Sequence, residues 1–183
     1  STMRRLIVSE WMTLDGVVQA PTSSEEDSDG GFEHGGWHQP HMGDPAFQQW
    51  VTESVAAAGG FLFGRRTYQN FAAYWPNAPQ EEQAIARPLN TRPKYVASTT
   101  LAEPLPWQHS TLLRGDVATA VAALKQEAGE DLLVVGSTEL VALLLAHGLV
   151  DELRLMIDPV LVGGGKRIFR DDGALRPLKL LTS

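Results

Sequence analysis

A chain of 183 residues, 43 % of them hydrophobic, is long enough for one domain with a sizeable core. Its formal net charge of −7 argues against general nucleic-acid binding but leaves room for a local basic site. With no cysteine it has no disulfide and no thiolate metal site, and no apolar run approaches the roughly 20 residues that span a bilayer. The N-terminus carries no signal-peptide pattern, and Ser1-Thr2 ahead of Met3 is set aside as an added leader, so a soluble, cytoplasmic protein is expected.

Leu6-Ile7-Val8 opens a central strand running to about Met12, and Asp15-Gly16 reads as a turn. A long irregular stretch follows from about Gln19 to Gly43, first acidic (Ser23 to Asp29), then glycine-studded around Phe32 and Trp37. A loop this long inside a domain points to function or motion, and the expected form is a lid with aromatic side chains over the groove. Asp44-Pro45 is a cap followed by proline at the first helical position. Phe47, Trp50, Val51, Val55 and Ala58 then share one helical face, with Trp50 expected in the core, before Gly59-Gly60 end the helix.

Phe61–Phe63 reads as a buried strand, followed by a helix from Arg65 to about Phe71 and a further helical turn or two over 81–87. Tyr95–Ala97 and Thr111–Leu113 are short strands. Asp116 caps a helix with Val117, Ala120, Val121 and Leu124 inward. Leu132–Val135 is a fully apolar strand, a helix runs from Ser137-Thr138 to about His147, and Gly148 stops it. Leu153, Leu155 and Ile157 alternate as a strand, Gly163–Gly165 form a turn, and Ile168-Phe169 begin a further strand. Strands alternating with helices give an α/β class with a largely parallel sheet in a single domain over residues 3–183.

Three strand ends share one chemistry: Gly64-Arg65-Arg66-Thr67, Ser98-Thr99 and Gly136-Ser137-Thr138. Helix starts carry unpaired N–H groups and partial positive charge, and guanidinium forks suit phosphate oxygens. In open α/β sheets ligands sit outside the carboxyl ends of the strands, so the three bends are expected to line one groove for a phosphorylated nucleotide. The Gly-x-Gly-x-x-Gly fingerprint is absent.

The pieces Ser9 to Gly16, Phe63 to Tyr68, Lys94 to Thr99, Val134 to Leu140 and Val150 to Gly165 resemble, in order, the dihydrofolate reductase superfamily. They are most similar to the reductase domain of the riboflavin-biosynthesis deaminase/reductase and its stand-alone relatives. The resemblance implies a three-layer α-β-α sandwich around a mostly parallel mixed sheet, NADPH as hydride donor, a small-molecule substrate and a homodimer. It sets Gly64, Arg65, Arg66 and Thr67 on the 2′-phosphate loop, Ser98 and Thr99 on the adenosine side, and Gly136, Ser137 and Thr138 on the pyrophosphate turn. Asp15 and Gly16 fall beside the nicotinamide and substrate, with Asp15 the candidate catalytic residue, and Trp11, Phe32 and Trp37 are the other substrate-side candidates. The related families commonly continue with one more hairpin after a segment like 177–183; here the chain stops, so it is either shortened or completes the sheet edge differently.

One departure bears on the substrate. Dihydrofolate reductases keep a carboxylate on the buried face of the helix before the Gly-Arg strand. At about 100° per residue that face here takes in Ser54, while Glu53 lies off it and Asp44 serves as the cap. Folate reduction is therefore disfavoured. The proton could come from water, Asp15 or a loop histidine. Two other readings stay open: a non-catalytic nucleotide-binding protein on the same fold, and a metal-dependent hydrolase using His34, His38 and His41 with Glu33 or Asp44.

Overall fold

Period-two alternation in the apolar strands dictates the layers. In the computed structural model, which describes residues 3–183, Leu6 and Val8 point to one side of the sheet and Ile7 to the other. Leu132 and Val134 likewise oppose Leu133, and Leu62 opposes Phe61 and Phe63. Both faces are thus apolar, as a parallel sheet covered on each side requires.

In chain order the elements are β1 (Leu6–Thr13), α1 (Pro45–Ala57), β2 (Gly60–Gly64), α2 (Arg65–Tyr74), α3 (Gln83–Thr91), β3 (Lys94–Ala97), β4 (Ser110–Leu112), α4 (Val117–Gln126), β5 (Leu132–Gly136), α5 (Thr138–Ala146) and β6 (Glu152–Asp158). The strand order is β4-β3-β2-β5-β1-β6, and every ladder is parallel. The antiparallel member implied by a mixed sheet does not occur among the described strands. Ile168-Phe169 form no strand; Ile168 is buried against the core while Phe169 is exposed.

Helices α4 and α5 cover the face carrying Leu6, Val8 and Val134, through Val121, Leu124, Leu140, Val141 and Leu144. On the other face α1, α2 and α3 contribute Val55, Tyr68 and Leu89 around Phe61, Phe63 and Trp107. Caps fix the helix starts: Asp44 Oδ1 accepts from the Ala46 amide at 2.8 Å, and Asp116 Oδ2 from the Thr119 amide at 2.9 Å. Lys94 is fully buried without a carboxylate partner. It donates to the carbonyls of Leu89 (2.7 Å) and Arg92 (3.0 Å) at the end of α3, and burial pulls its pKa down to about 8.

The strand order places the site. From β2 the chain moves outward to β3, whereas from β5 it moves the other way, past β1 to β6. The connections diverge between β2 and β5, and such a switch point leaves a crevice at the carboxyl ends of the strands.

Candidate functional site

The bends after β2 and β5 meet at that crevice. Phe63 pairs with Gly136, and Gly64 pairs with Ala97 on β3, so three strand ends lie side by side. Gly64 has no room for a side chain: a Cβ there would lie 2.7 Å from Ser137 Cβ and 2.9 Å from Ser137 N. Gly136 adopts φ +139, and a Cβ on it would lie 3.0 Å from Thr67 Oγ1. Only glycine lets these two backbones close on each other.

A groove of about 1610 Å³ opens over this junction. That exceeds the roughly 300–1,000 Å³ of an ordinary small-molecule pocket and suits a dinucleotide together with a second ligand. Gly64, Arg65, Arg66, Thr67, Ser98, Thr99, Gly136, Ser137 and Thr138 all line it. Helix α2 begins with neither a side-chain cap nor an acid in its first turn, so its leading amides are free to meet an anion. Ser137 caps α5 through its Oγ, 3.4 Å from the Leu140 amide, and Glu139 is paired with Arg170 at 3.0 Å. The Ser98 hydroxyl accepts from the amides of Thr100 and Leu101, both at 3.1 Å, and so also holds its own turn.

The arginine pair is divided. Arg65 is exposed, bonds only to Gln69 Oε1 (3.2 Å), and makes no ion pair among the described residues. Arg66 is tied to Asp27 and, at 3.3 Å, to Asp29, which also hold Lys166 Nζ at 2.7 and 2.8 Å. Of the two guanidiniums at this bend, Arg66 is thus held by the acidic loop segment, which leaves Arg65 as the one without an acid partner among the described residues. Because Lys166 and Arg66 bond to it, Asp29 sits below the ordinary carboxylate range. Asp27 is also held low, its partners Lys166 and Arg66 outweighing the opposing effect of burial.

At the other end the groove is walled by Ser9, Glu10 and Trp11 of β1 and by Phe47, Trp50, Val51 and Ser54 of α1. Trp50 is half-buried and faces this space rather than the core. Ser54 is buried on the wall where the carboxylate of dihydrofolate reductases was expected. Trp11 stacks on His38 with centroids 5.0 Å apart and meets the edge of Phe47. His38 is fully buried; its Nδ1 lies 2.6 Å from Asp158 Oδ2, and its Nε2 has no partner. Asp158 fixes His38, and His38 backs the Trp11 ring.

Four substrate-side expectations need correction: Asp15, Gly16, Phe32 and Trp37 do not line this groove. Asp15 accepts from Thr13 Oγ1, from the Val162 amide (3.2 Å) and from the Gly163 amide (2.8 Å). These bonds, that of Thr13 first, hold its carboxyl below its ordinary range, so it braces the turn and makes a poor acid. Gly16 (φ +86) forms that turn. Phe32 packs where a Cβ on Gly165 would come within 3.0 Å of its ring. Trp37 is buried and donates from Nε1 to the Gln19 carbonyl at 2.8 Å, so these aromatics anchor the loop's own fold. Among the described residues no three His, Asp or Glu side chains are grouped to hold a metal ion.

Sequence reasoning passed over Glu10. It lines the groove, and burial, assisted by the like charge of Glu26, pushes its pKa up to about 8. The signal was a carboxylate in the middle of the strand LIVSEWMT, buried at both ends, where an unpaired charge is costly.

Solved structures share this architecture. A riboflavin-biosynthesis protein, described as putative, from Shewanella sp. PV-4 superposes with a TM-score of 0.67 at 20 % identity, over 97 % of this chain and 90 % of its own. Dihydrofolate reductase from Enterococcus faecalis, solved with NADP(H) and RAB-propyl, gives 0.58 at 14 % identity, over 93 % and 80 %. In sequence, the uncharacterized protein YyaP of Bacillus subtilis is 27 % identical over 172 residues, 92 % of this chain and 81 % of that protein. The family model of the RibD C-terminal domain matches residues 4–183. With nearly every described residue inside that match, and the fold of reductases around its groove, the chain belongs to the RibD C-terminal domain family.

Proposed function

We propose that this protein is an NADPH-dependent oxidoreductase that reduces a C=N or C=O group of a small planar heterocycle, pterin- or pyrimidine-like, rather than dihydrofolate. The observation that carries the reading is the contact between the Gly64 and Gly136 bends, which brings a cap-free helix start, Arg65 and Thr67 against the Gly136-Ser137-Thr138 turn. The missing side chains at Gly64 and Gly136 leave a cradle of backbone that suits a pyrophosphate. In this reading the Gly136 turn and Thr67 hold the pyrophosphate, Arg65 the 2′-phosphate, and Ser98 and Thr99 the adenosine side. When bound, the cofactor supplies the hydride. Trp11, held from behind by His38, offers a flat wall for the substrate ring, and Ser54 in place of a carboxylate argues against the folate pteridine. The histidine-based hydrolase finds no support, because His38 is engaged with Asp158 beneath Trp11. The same reading takes residues 3–183 as one reductase domain, acting in the cytoplasm as a homodimer.

Titration with NADPH and NADH separately, followed by tryptophan-to-nicotinamide energy transfer, tests this. NADPH should bind more tightly, and Arg65→Ala should remove roughly 10- to 100-fold of that advantage, the worth of a charge-assisted pair. Arg66→Ala should remove less. Equal affinity for the two nucleotides, or none, contradicts the reading.

A further inference from the structure

Four cationic side chains line the groove among the described residues, Arg65, Arg66, Lys166 and Arg170, and seven carboxylates line it with them. Three of the cations are already paired. Arg66 and Lys166 are held by Asp27 and Asp29, and Arg170 lies 3.0 Å from Glu139. The Asp27 side chain is only 14 % exposed, so pulling both cations away would strand a largely buried carboxylate. Arg65 alone has no acid partner among the described residues. It stands at the start of α2, where the reading above places the 2′-phosphate.

The wall where the substrate ring is placed brings no charge to it. Trp11 of β1 and Phe47, Trp50, Val51 and Ser54 of α1 are all uncharged. Alternation along β1 turns Glu10 to the face of Val8 and Met12, away from this wall. The His38 imidazole behind Trp11 is fully buried and bonded to Asp158. The start of α1 offers no anion cradle either, because the Asp44 carboxylate already caps it, 2.8 Å from the Ala46 amide.

We propose that the substrate is electrically neutral, a flat ring carrying neither phosphate nor carboxylate. The proposal rests on the reductase reading above and narrows its substrate class. Bound NADPH brings several negative charges into a groove whose acids outnumber its bases even with the Glu10 carboxyl protonated. An anionic second ligand would meet that excess with no free cation to offset it, whereas an uncharged ring would not. Recognition then falls to the Trp11 face turned away from His38, on which the ring stacks, and to the Ser54 hydroxyl, which suits a ring carbonyl or N–H.

Quenching of tryptophan fluorescence in the NADP⁺ complex tests this without a known substrate. Trp50 is isolated as the difference between wild type and Trp50→Phe, and Trp11→Phe serves in the same way if that variant folds poorly. At constant ionic strength, and relative to free N-acetyltryptophanamide, acrylamide should reach Trp50 at least about 5-fold better than iodide. Equal access for iodide overturns the proposal. Paired probes give a second readout: pterin against pterin-6-carboxylate, and uridine against its 5′-monophosphate. The neutral member of each pair should bind the NADP⁺ complex roughly 10-fold or more tightly. Asp27→Asn with Asp29→Asn should narrow the gap by freeing Arg66 and Lys166. A charged member that binds as well as its neutral twin, or a gap indifferent to the double variant, overturns the proposal while leaving NADP⁺ binding intact. If no probe binds, iodide access decides alone. Failure of NADPH and NADP⁺ to bind sinks the reductase reading, and this proposal with it.

Discussion

Gly64 is the residue on which the groove's closure depends. A methyl group there would overlap Ser137, whose Cβ and backbone nitrogen cannot withdraw without moving the start of α5. Gly64→Ala is therefore expected to cost about 1–3 kcal/mol in urea unfolding and to weaken NADPH binding. A fully stable, fully binding variant would mean that the two bends do not touch. Glu10 gives the second prediction at this scale. Its folded pKa, about 8, lies above its ordinary value of 4.5, so the folded state binds the extra proton between those two values. The stability tied to that proton is full below pH 4.5, falls as pH rises through 8, and is gone above it. Glu10→Gln should thus match wild type near pH 4 and exceed it at pH 9, by roughly 2 kcal/mol given the side chain's partial opening to the groove. Lys94, whose lowered pKa adds stability as pH rises from about 8, cancels in this difference. A variant no more stable at pH 9 than at pH 4, relative to wild type, would show that Glu10 is ionised in the folded protein.

At the scale of elements, the sequence was legible wherever periodicity and caps spoke together. Asp44-Pro45 and Asp116 marked the starts of α1 and α4, and the unbroken apolar runs 61–63 and 132–135 marked β2 and β5, because those signals are local. Asp116→Ala is accordingly expected to cost about 1 kcal/mol in thermal or chemical unfolding; no loss would mean that the bond to the Thr119 amide contributes nothing. The loop over 19–43 was less legible, because its contacts are to distant segments. Nothing near His38 announces Asp158, 120 residues away. The pairing of Asp27 and Asp29 with Arg66 and Lys166 is equally non-local. That loop makes a prediction of its own. Asp27→Asn with Asp29→Asn frees Arg66 and Lys166 beside the groove, so NADPH affinity at low salt should rise and fall more steeply with added salt. Unchanged affinity would show that the acidic segment does not influence the anion site.

For the whole molecule, topology explains why three weak motifs made a recoverable site. Bends after β3, β2 and β5 are scattered over residues 64–138, yet those strands are neighbours in the sheet, and their carboxyl ends open on the crevice where the connections diverge. The motifs could be placed on strand ends from sequence because glycine and hydroxyl residues follow apolar runs. Glu10 could not, because a single glutamate inside a strand gains meaning only when its neighbours are known to be paired elsewhere. Asp15 illustrates the reverse error. Its turn is plain in the sequence, but its role depends on the amides of Val162 and Gly163, which the chain brings back only after β6.

The most direct test of the central claim is a crystal structure of the protein with NADPH. The pyrophosphate should lie on the backbone of Gly136-Ser137-Thr138 and the 2′-phosphate against Arg65. The nicotinamide should reach toward Trp11. A dinucleotide bound away from the junction of Gly64 and Gly136, or its 2′-phosphate facing solvent with Arg65 uninvolved, would contradict it.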